Sequence, residues 1–233
     1  MTRPLDITFS TPLEREYEAW IIRGIEDYFL SLGKRISIWA VSPSDEADWP
    51  ADEAMFVGTK IIGLQLKKVD YVDDGSRPKK FGRLRWTFHN PPNQFDLVLK
   101  FPEIYYCLPT FVNRNMKDQA LSHCIFWRPD PKEKRNLNAW YDNKSAKTPY
   151  KSIGSSTRWG KFIEDIIECS VGKKIDTVTE AKNYLDSIKG YMREMRYSYP
   201  VMDDSRPIKI NQYGDHRKLV VYIISIPING QIK

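Results

Sequence analysis

Three of the polar residues in the largely apolar stretch ADEAMFVGTKIIGLQLKK (51–68) are of types that suit phosphodiester hydrolysis: Asp52, Gln65 and Lys67. A hard divalent cation such as Mg²⁺ prefers oxygen ligands and is held by one or two carboxylates together with substrate phosphate. In this pattern Asp52 is the principal metal ligand, and the Gln65 carbonyl oxygen adds a neutral one. The Lys67 ammonium can orient or deprotonate a metal-bound water and stabilise the charge of the transition state. We therefore predict a metal-dependent catalytic site.

Two short strands joined at Gly58 are the elements that would position these residues. If the strands pair as an antiparallel hairpin, side chains two positions apart share a face, so Gln65 and Lys67 point the same way. The start of the first strand then lies beside the end of the second, near Lys67. Alternation lets only one of Asp52 and Glu53 face the site. The alternative is an edge hairpin whose Gln65 and Lys67 face water.

A helix predicted from residue 11 to about residue 32 supplies further carboxylates. Thr11 can cap it, and Gly33 is a natural end. Glu14 and Glu18 lie beside its apolar stripe, where either carboxylate can complete the metal shell. The stripe consists of Leu13, Tyr17, Ile21, Ile25 and Tyr28.

The order of a capped acidic helix, Asp52, an apolar strand, Gly58 and Gln65-Leu66-Lys67 resembles the core motif of the PD-(D/E)xK nuclease superfamily. That superfamily includes restriction endonucleases and archaeal Holliday-junction resolvases. The resemblance covers about residues 11–127 and implies a restriction-endonuclease-like core with Mg²⁺-dependent cleavage of nucleic acid, Mn²⁺ being a substitute. The offset from Asp52 to Lys67 is similar to the resolvase pattern and favours Asp52 over Glu53. Gln65 replaces the usual acidic residue, so Glu18 or Glu14 must supply the missing charge.

Charge and composition favour a polyanionic partner. The 233-residue chain carries a net charge of +6 and has a sequence pI near 9.0. The segment RPKKFGRLRW (77–86) combines five cations with two aromatic rings, which suits phosphate neutralisation and base stacking as well as a solvated loop. We expect DNA rather than RNA as the partner, and a homodimer is compatible with the sequence. The predicted nucleic-acid contacts are Lys79, Lys80, Arg83, Arg85, Arg114 and Lys117.

The predicted elements give an α/β fold with a mixed β-sheet flanked by helices and a helical C-terminal extension. Residues 1–128 form the nuclease-like core, and 129–155 form a polar loop or linker. Residues 156–233 contain two helices and a strand that either complete the core or form a recognition or dimerisation subdomain. Within the core, RLRWTFH and FDLVLKF are predicted to pair as strands.

Several function classes lack support in the sequence. The three cysteines and three histidines are scattered, so neither a zinc cluster nor a local nucleophile and histidine pair is indicated. No apolar run is long enough to span a bilayer, and we expect a cytoplasmic protein. The competing function is a non-catalytic nucleic-acid-binding or protein-interaction module that retains the nuclease fold, motivated by Gln65. An enzyme acting on small phosphorylated substrates is disfavoured because the chain lacks a Gly-rich phosphate loop.

Overall fold

The computed structural model describes eight stretches of the chain: residues 11–41, 58–71, 84–88, 94–130, 148–149, 153–168, 170–197 and 221–227. The predictions made for Asp52, Glu53, Lys79, Lys80 and Arg83 lie outside these residues. Among the described residues, no helix is long and apolar enough to cross a membrane.

The described part of the chain contains α-helices that flank a large mixed sheet. The helices are α1 (Glu14–Ser31), α2 (Gln94–Lys100), α3 (Trp159–Ile167) and α4 (Val178–Tyr197), with short 3-10 helices at Arg114–Gln119 and Leu121–His123. The strands are β1 (Ser37–Val41), β2 (Thr59–Leu66), β3 (Asp70–Tyr71), β4 (Leu84–Trp86), β5 (Ile104–Pro109), β6 (Cys124–Trp127), β7 (Thr148–Pro149), β8 (Thr157–Arg158), β9 (Lys173–Ile175) and β10 (Val221–Pro227). The predicted mixed α/β architecture is confirmed at this level.

Strand β2 is the centre of the large sheet, whose order is β1-β10-β2-β5-β6-β8, with β9 also paired to β2. It runs antiparallel to β10 and parallel to β5. All eight of its residues are buried, which agrees with its position between other strands. A smaller sheet, β3-β4-β7, follows β2 after a connection of three residues.

The prediction that the strand after Gly58 pairs in a hairpin with the segment before it is wrong. At Thr59–Ile61 one edge of β2 pairs with β10 and the other pairs with β9. The strand therefore has no open edge next to Gly58 for an antiparallel partner. Strand β10, which lies within the apolar run KLVVYIISIPI far along the sequence, supplies the neighbour that local spacing assigned to residues 52–57.

The segment FDLVLKF is a helix rather than the predicted strand. Its first six residues lie in α2, where Phe95, Leu97 and Val98 are buried. Because β2 and β5 are parallel, the chain must cross from the end of one to the start of the other, and a helix normally makes this crossover. The short apolar run did not distinguish a buried helix from a strand.

Helix α1 starts later than predicted, at Glu14, with Leu13 at the N-cap position. The Leu13 N–H donates to Glu16 Oε2 at 2.7 Å, so Glu16 performs the capping that was assigned to Thr11. Gly33 ends the helix as expected, with a φ of 68° that favours glycine. Tyr17, Ile21 and Ile25 of the predicted stripe are buried, whereas Leu13 is exposed.

The two faces of the large sheet are covered by different helices. Directly paired residues point to the same face, so Leu64, Tyr105 and Tyr222 share one. The rings of Tyr105 and Phe162 lie 5.1 Å apart, which places α3 on this face. Helix α1 joins it there, because Tyr28 packs on Trp159 at a ring distance of 5.3 Å.

The opposite face of the sheet carries Gln65, Tyr106 and Trp127, which are paired across β2, β5 and β6. The Phe95 ring of α2 lies 6.3 Å from Tyr106 and 6.2 Å from Trp127. Helix α2 therefore covers this second face.

The C-terminal third of the chain contributes to the same sheet as the N-terminal part. Strand β10 lies between β1 and β2, and β8 and β9 pair with β6 and β2. These strands complete the core sheet rather than forming a separate one. Helix α4 buries the predicted stripe, which consists of Ala181, Tyr184, Leu185, Ile188 and Met192.

Candidate active site

Lys67 lies at the carboxyl end of β2, directly after its last residue. Its backbone N–H donates to the Cys107 carbonyl at 3.3 Å, which continues the parallel pairing with β5. Its Nζ is 3.7 Å from Glu14 Oε1 in the first turn of α1. The ammonium and a carboxylate of the predicted site therefore meet at the end of the central strand. Ligands in open α/β sheets commonly bind at carboxyl ends of strands.

The burial of Lys67 excludes the water-facing alternative. Only 2% of Lys67 and 3% of Gln65 are exposed. A buried ammonium is costly unless anionic or hydrogen-bonding groups compensate it, so its surroundings must supply them. Glu14 is one such group, with 21% of its side chain exposed.

Glu18 lies one helical turn after Glu14 and belongs to the same cluster. Burial raises the pKa of Glu18, and the Glu14 carboxylate raises it further. The Tyr222 hydroxyl of β10, Arg15 and Lys67 lower the pKa of Glu18, but their combined influence is smaller. Two mutually repelling carboxylates therefore share the end of β2 with one buried ammonium.

This arrangement fits a hard divalent cation on chemical grounds. Glu14 Oε2 is buried and accepts no hydrogen bond, so one carboxylate oxygen is enclosed by the protein without a donor. A cation bound to Glu14 and Glu18 would compensate that oxygen and relieve their repulsion. Within the stretches that the structure describes, no group of three or more His, Cys, Asp or Glu is placed to hold a metal. The described chain thus supplies two carboxylates, and the proposed third, Asp52, lies outside it.

Gln65 is turned away from the α1 carboxylates. The register places it on the face of Tyr106 and α2, whereas α1, which carries Glu14 and Glu18, lies on the opposite face. Its Nε2 donates to the Leu66 carbonyl at 3.3 Å, and its buried Oε1 accepts no hydrogen bond. The structure therefore brings Glu14, Glu18 and Lys67 together but directs the Gln65 amide elsewhere.

The predicted nucleic-acid contacts within the described chain differ in environment. Lys117 is exposed in a 3-10 helix. Arg85 is half-buried on β4, where its guanidinium donates to the Leu84 carbonyl at 2.9 Å. Arg114 donates to both carboxylate oxygens of Glu16, at 2.8 and 2.7 Å. That bidentate pair fixes the start of α1 against the chain that follows β5 and already compensates the Arg114 charge.

Two residues that contribute to the site escaped the sequence analysis. Tyr222 was part of a strongly β-prone apolar run, in which a single aromatic hydroxyl was the available signal. Glu16 was overlooked because its role depends on Arg114, which lies 98 positions away in sequence. No local spacing identifies such a pair.

A separate open cleft of about 480 Å³ lies at the start of α4. It is lined by Lys173, Thr177, Thr179, Glu180, Asn183 and Tyr184. Lys173 pairs with Ile61 across β9 and β2, so the cleft lies toward the amino end of β2, away from Lys67. Its Lys173 ammonium is 3.2 Å from the Glu180 carboxylate.

Comparisons of the chain with protein-family models, with curated proteins and with solved structures find no match.

Proposed function

We propose that this protein is a metal-dependent endonuclease of the PD-(D/E)xK type, which hydrolyses phosphodiester bonds in DNA on a restriction-endonuclease-like core. The observation that carries the proposal is the buried Lys67 ammonium beside Glu14, with Glu18 close by, at the carboxyl end of the central strand. A catalytic lysine and helix carboxylates at this point agree with the motif resemblance. A role in restriction, defence, repair or recombination would use the same chemistry.

Mg²⁺ or Mn²⁺, when bound, would polarise the scissile phosphate and lower the pKa of an attacking water. Glu14, Glu18 and Asp52 are the proposed residues that would hold it. Lys67 would donate hydrogen bonds to the phosphate oxygens as negative charge grows on them, in a site where burial strengthens that interaction. Its enclosure also fixes the ammonium in one position, so little reorganisation is needed during the reaction.

DNA as the substrate is supported by the basic residues in the sequence that follows β2. The small sheet follows β2 after a connection of three residues and carries Arg85, and the sequence between β3 and β4 contains Lys79, Lys80 and Arg83. Cations in the segment that directly follows Lys67 are suited to neutralising a phosphate backbone. Binding should therefore weaken steeply as salt is raised.

A second candidate is a DNA-binding module that has lost catalysis. The orientation of Gln65 favours it, because β2 then offers no side-chain oxygen to the Glu14 and Glu18 cluster. Such a module would bind DNA equally well with and without divalent metal. Calorimetric titration of DNA in Ca²⁺ and in chelator separates the two candidates.

The direct test is cleavage of plasmid or branched DNA in Mg²⁺ by the wild-type protein and by Glu14→Gln and Asp52→Asn variants. We expect wild-type cleavage that chelator abolishes, and a rate at least about 100-fold lower in each variant, the range found when a positioned catalytic group is lost. Glu26→Gln is the matched control, since Glu26 is an exposed glutamate on the same helix. Cleavage by Glu14→Gln and Asp52→Asn at the wild-type rate would refute the site.

A further inference from the structure

The chain that leaves β5 forms an anchor beside the end of β2. The Cys107 carbonyl of β5 accepts the Lys67 N–H at 3.3 Å, so the ends of the two strands are joined next to the candidate site. Beyond β5, Thr110 donates to the His123 carbonyl through its backbone N–H at 2.8 Å and through its hydroxyl at 2.6 Å. These three hydrogen bonds fix the position of the next residue, Phe111, relative to Lys67.

Tyr17 of α1 is attached to this anchor by its hydroxyl. The hydroxyl donates to the Phe111 carbonyl at 2.8 Å, and the two rings pack edge to face with their centres 5.2 Å apart. Tyr17 is completely buried, so water does not compete for the hydrogen bond. The ring supplies apolar contact area, whereas the hydroxyl supplies a directional constraint on where the helix lies.

Glu14 lies one helical turn before Tyr17, on the same side of α1. Its Oε1 is 3.7 Å from the Lys67 ammonium, and its buried Oε2 accepts no hydrogen bond. The position of the carboxylate therefore depends on the position of the helix backbone that carries it. A metal ligand must be held to within about 0.5 Å of its productive position, which the link from Tyr17 to the end of β5 can achieve.

A second contact joins the same two elements nearer the protein surface. Arg114 donates to both carboxylate oxygens of Glu16, at 2.8 and 2.7 Å. Each of the two side chains is 31% exposed, so water and salt weaken their attraction. This ion pair therefore supports the position of α1 less strongly than the buried Tyr17 hydrogen bond does.

We propose that Tyr17 is a positioning residue, which holds the first turn of α1 against the end of β5 and so keeps the Glu14 carboxylate where it binds the divalent cation beside Lys67. The inference rests on the metal site of the proposed function and adds the chain after β5 to the elements that build it. Tyr17 acts through Glu14 and touches neither the phosphate nor the metal.

The test is calorimetric titration of the DNA-free protein with Mn²⁺, comparing wild type, Tyr17→Phe and Tyr28→Phe. Tyr17→Phe keeps the ring and removes only the hydroxyl. We expect it to weaken Mn²⁺ binding by about 10-fold, the lower end of the effect of losing a group that supports a metal ligand. Tyr28→Phe removes the same group from the other end of α1, where the Tyr28 ring packs on Trp159, and should bind Mn²⁺ with wild-type affinity.

Lys60→Met separates positioning from a general loss of stability. Lys60 donates two hydrogen bonds toward the amino end of β2, so its replacement destabilises the fold at the end of the strand opposite the site. Urea denaturation and Mn²⁺ titration are made on Lys60→Met and Tyr17→Phe under the same conditions. We expect both variants to lose stability, but only Tyr17→Phe to lose Mn²⁺ affinity.

Arg114→Ala removes the surface contact between the same two elements and provides a second test, which does not depend on the folding of Tyr17→Phe. We expect a smaller loss of Mn²⁺ affinity, about two- to five-fold, which corresponds to the strength of a partly exposed ion pair. If Tyr17→Phe does not fold, wild-type Mn²⁺ affinity of Arg114→Ala refutes the inference.

The possible outcomes separate this inference from the proposed function. If the wild type binds Mn²⁺ and Tyr17→Phe binds it equally well, the role of Tyr17 is refuted while the metal site stands. An equal loss of affinity in Lys60→Met also refutes it, because the loss would then follow stability. If the wild type binds no Mn²⁺, both the metal site and the inference fail.

Discussion

Two buried lysines stand at opposite ends of β2 and have opposite kinds of partner. Lys60, near the amino end, is 3% exposed, and Lys67, just beyond the carboxyl end, is 2% exposed. Lys60 Nζ donates to the Ile166 and Val171 carbonyls at 2.6 and 3.0 Å. Lys67 Nζ instead lies beside the carboxylate of Glu14 and within electrostatic reach of Glu18.

The partners explain the difference in role. Helix α3 ends at Ile167, so the Ile166 carbonyl belongs to its last turn, where carbonyls lack helical partners and the helix dipole favours a cation. Lys60 therefore satisfies backbone groups and fixes α3 against the sheet. Lys67 faces the carboxylates of Glu14 and Glu18 at the carboxyl end of the central strand, where α/β proteins commonly bind ligands. Burial of a lysine alone does not indicate a catalytic function; its partners do.

The largest expected effect is on catalysis by Lys67→Met, which keeps most of the apolar stem and removes the charge. We predict a DNA cleavage rate in Mg²⁺ that is lower by about 100-fold or more, because the transition state loses its ammonium. Single-turnover cleavage of plasmid DNA measures this. If Lys67→Met cleaved at the wild-type rate, the contrast between the two lysines would have no functional meaning.

Lys60→Met is the same chemical change at the other end of the strand, and we expect it to affect stability rather than catalysis. Two backbone carbonyls, one in a buried and one in a partly buried hydrogen bond, lose their donor, which should lower the free energy of unfolding by about 2–3 kcal/mol. Urea denaturation measures this loss. Below the unfolding transition, the variant should cleave DNA at the wild-type rate, and a selective loss of cleavage would overturn the structural role of Lys60.

Gly63→Ala tests the close packing of the strand segment between the two lysines. A Cβ there would lie 2.7 Å from Ile104 Cγ1 and 3.3 Å from Val221 Cγ1. Relieving these contacts requires side-chain movement in a packed core, so we predict a loss of about 1–2 kcal/mol in the free energy of unfolding. Urea denaturation again measures it. Unchanged stability would show that β2 is packed more loosely than described.

The smallest effect should come from Arg114→Ala, which removes the ion pair that fixes the start of α1. Arg114 lowers the pKa of Glu16 from its usual value of 4.5. Because the pKa is lower in the folded state, the stabilisation is present above about pH 4.5 and disappears as the pH falls through the folded value. Thermal melting should show a small deficit for the variant at pH 7 that narrows below pH 4.5. A deficit independent of pH would contradict this assignment.

The sequence predicted the elements whose apolar periodicity is long. Helices α1 and α4 buried most of the residues assigned to them, and β2 and β10 formed where continuous β-branched runs occur. The proximity of Glu14 and Glu18 to Lys67 was also anticipated, since helical spacing put both carboxylates on one side of α1. These features depend on local patterns that short-range physics determines.

The pairing of β2 could not be predicted in the same way. Its antiparallel neighbour lies more than 150 positions further along the chain, so nothing near Gly58 indicated that β10 would occupy that edge. The orientation of Gln65 depends on the same pairing, because only the register with Tyr106 shows which face it occupies. The influence of Tyr222 on the pKa of Glu18 likewise requires the assembled sheet.

The most direct test of the central claim is anomalous diffraction from crystals grown with Mn²⁺. We predict one strong manganese peak bonded to carboxylate oxygens of Glu14 and Glu18, beside the Lys67 ammonium at the carboxyl end of β2. A peak elsewhere, with these carboxylates unbound, would show that the cluster is an ion pair of the fold rather than a metal site.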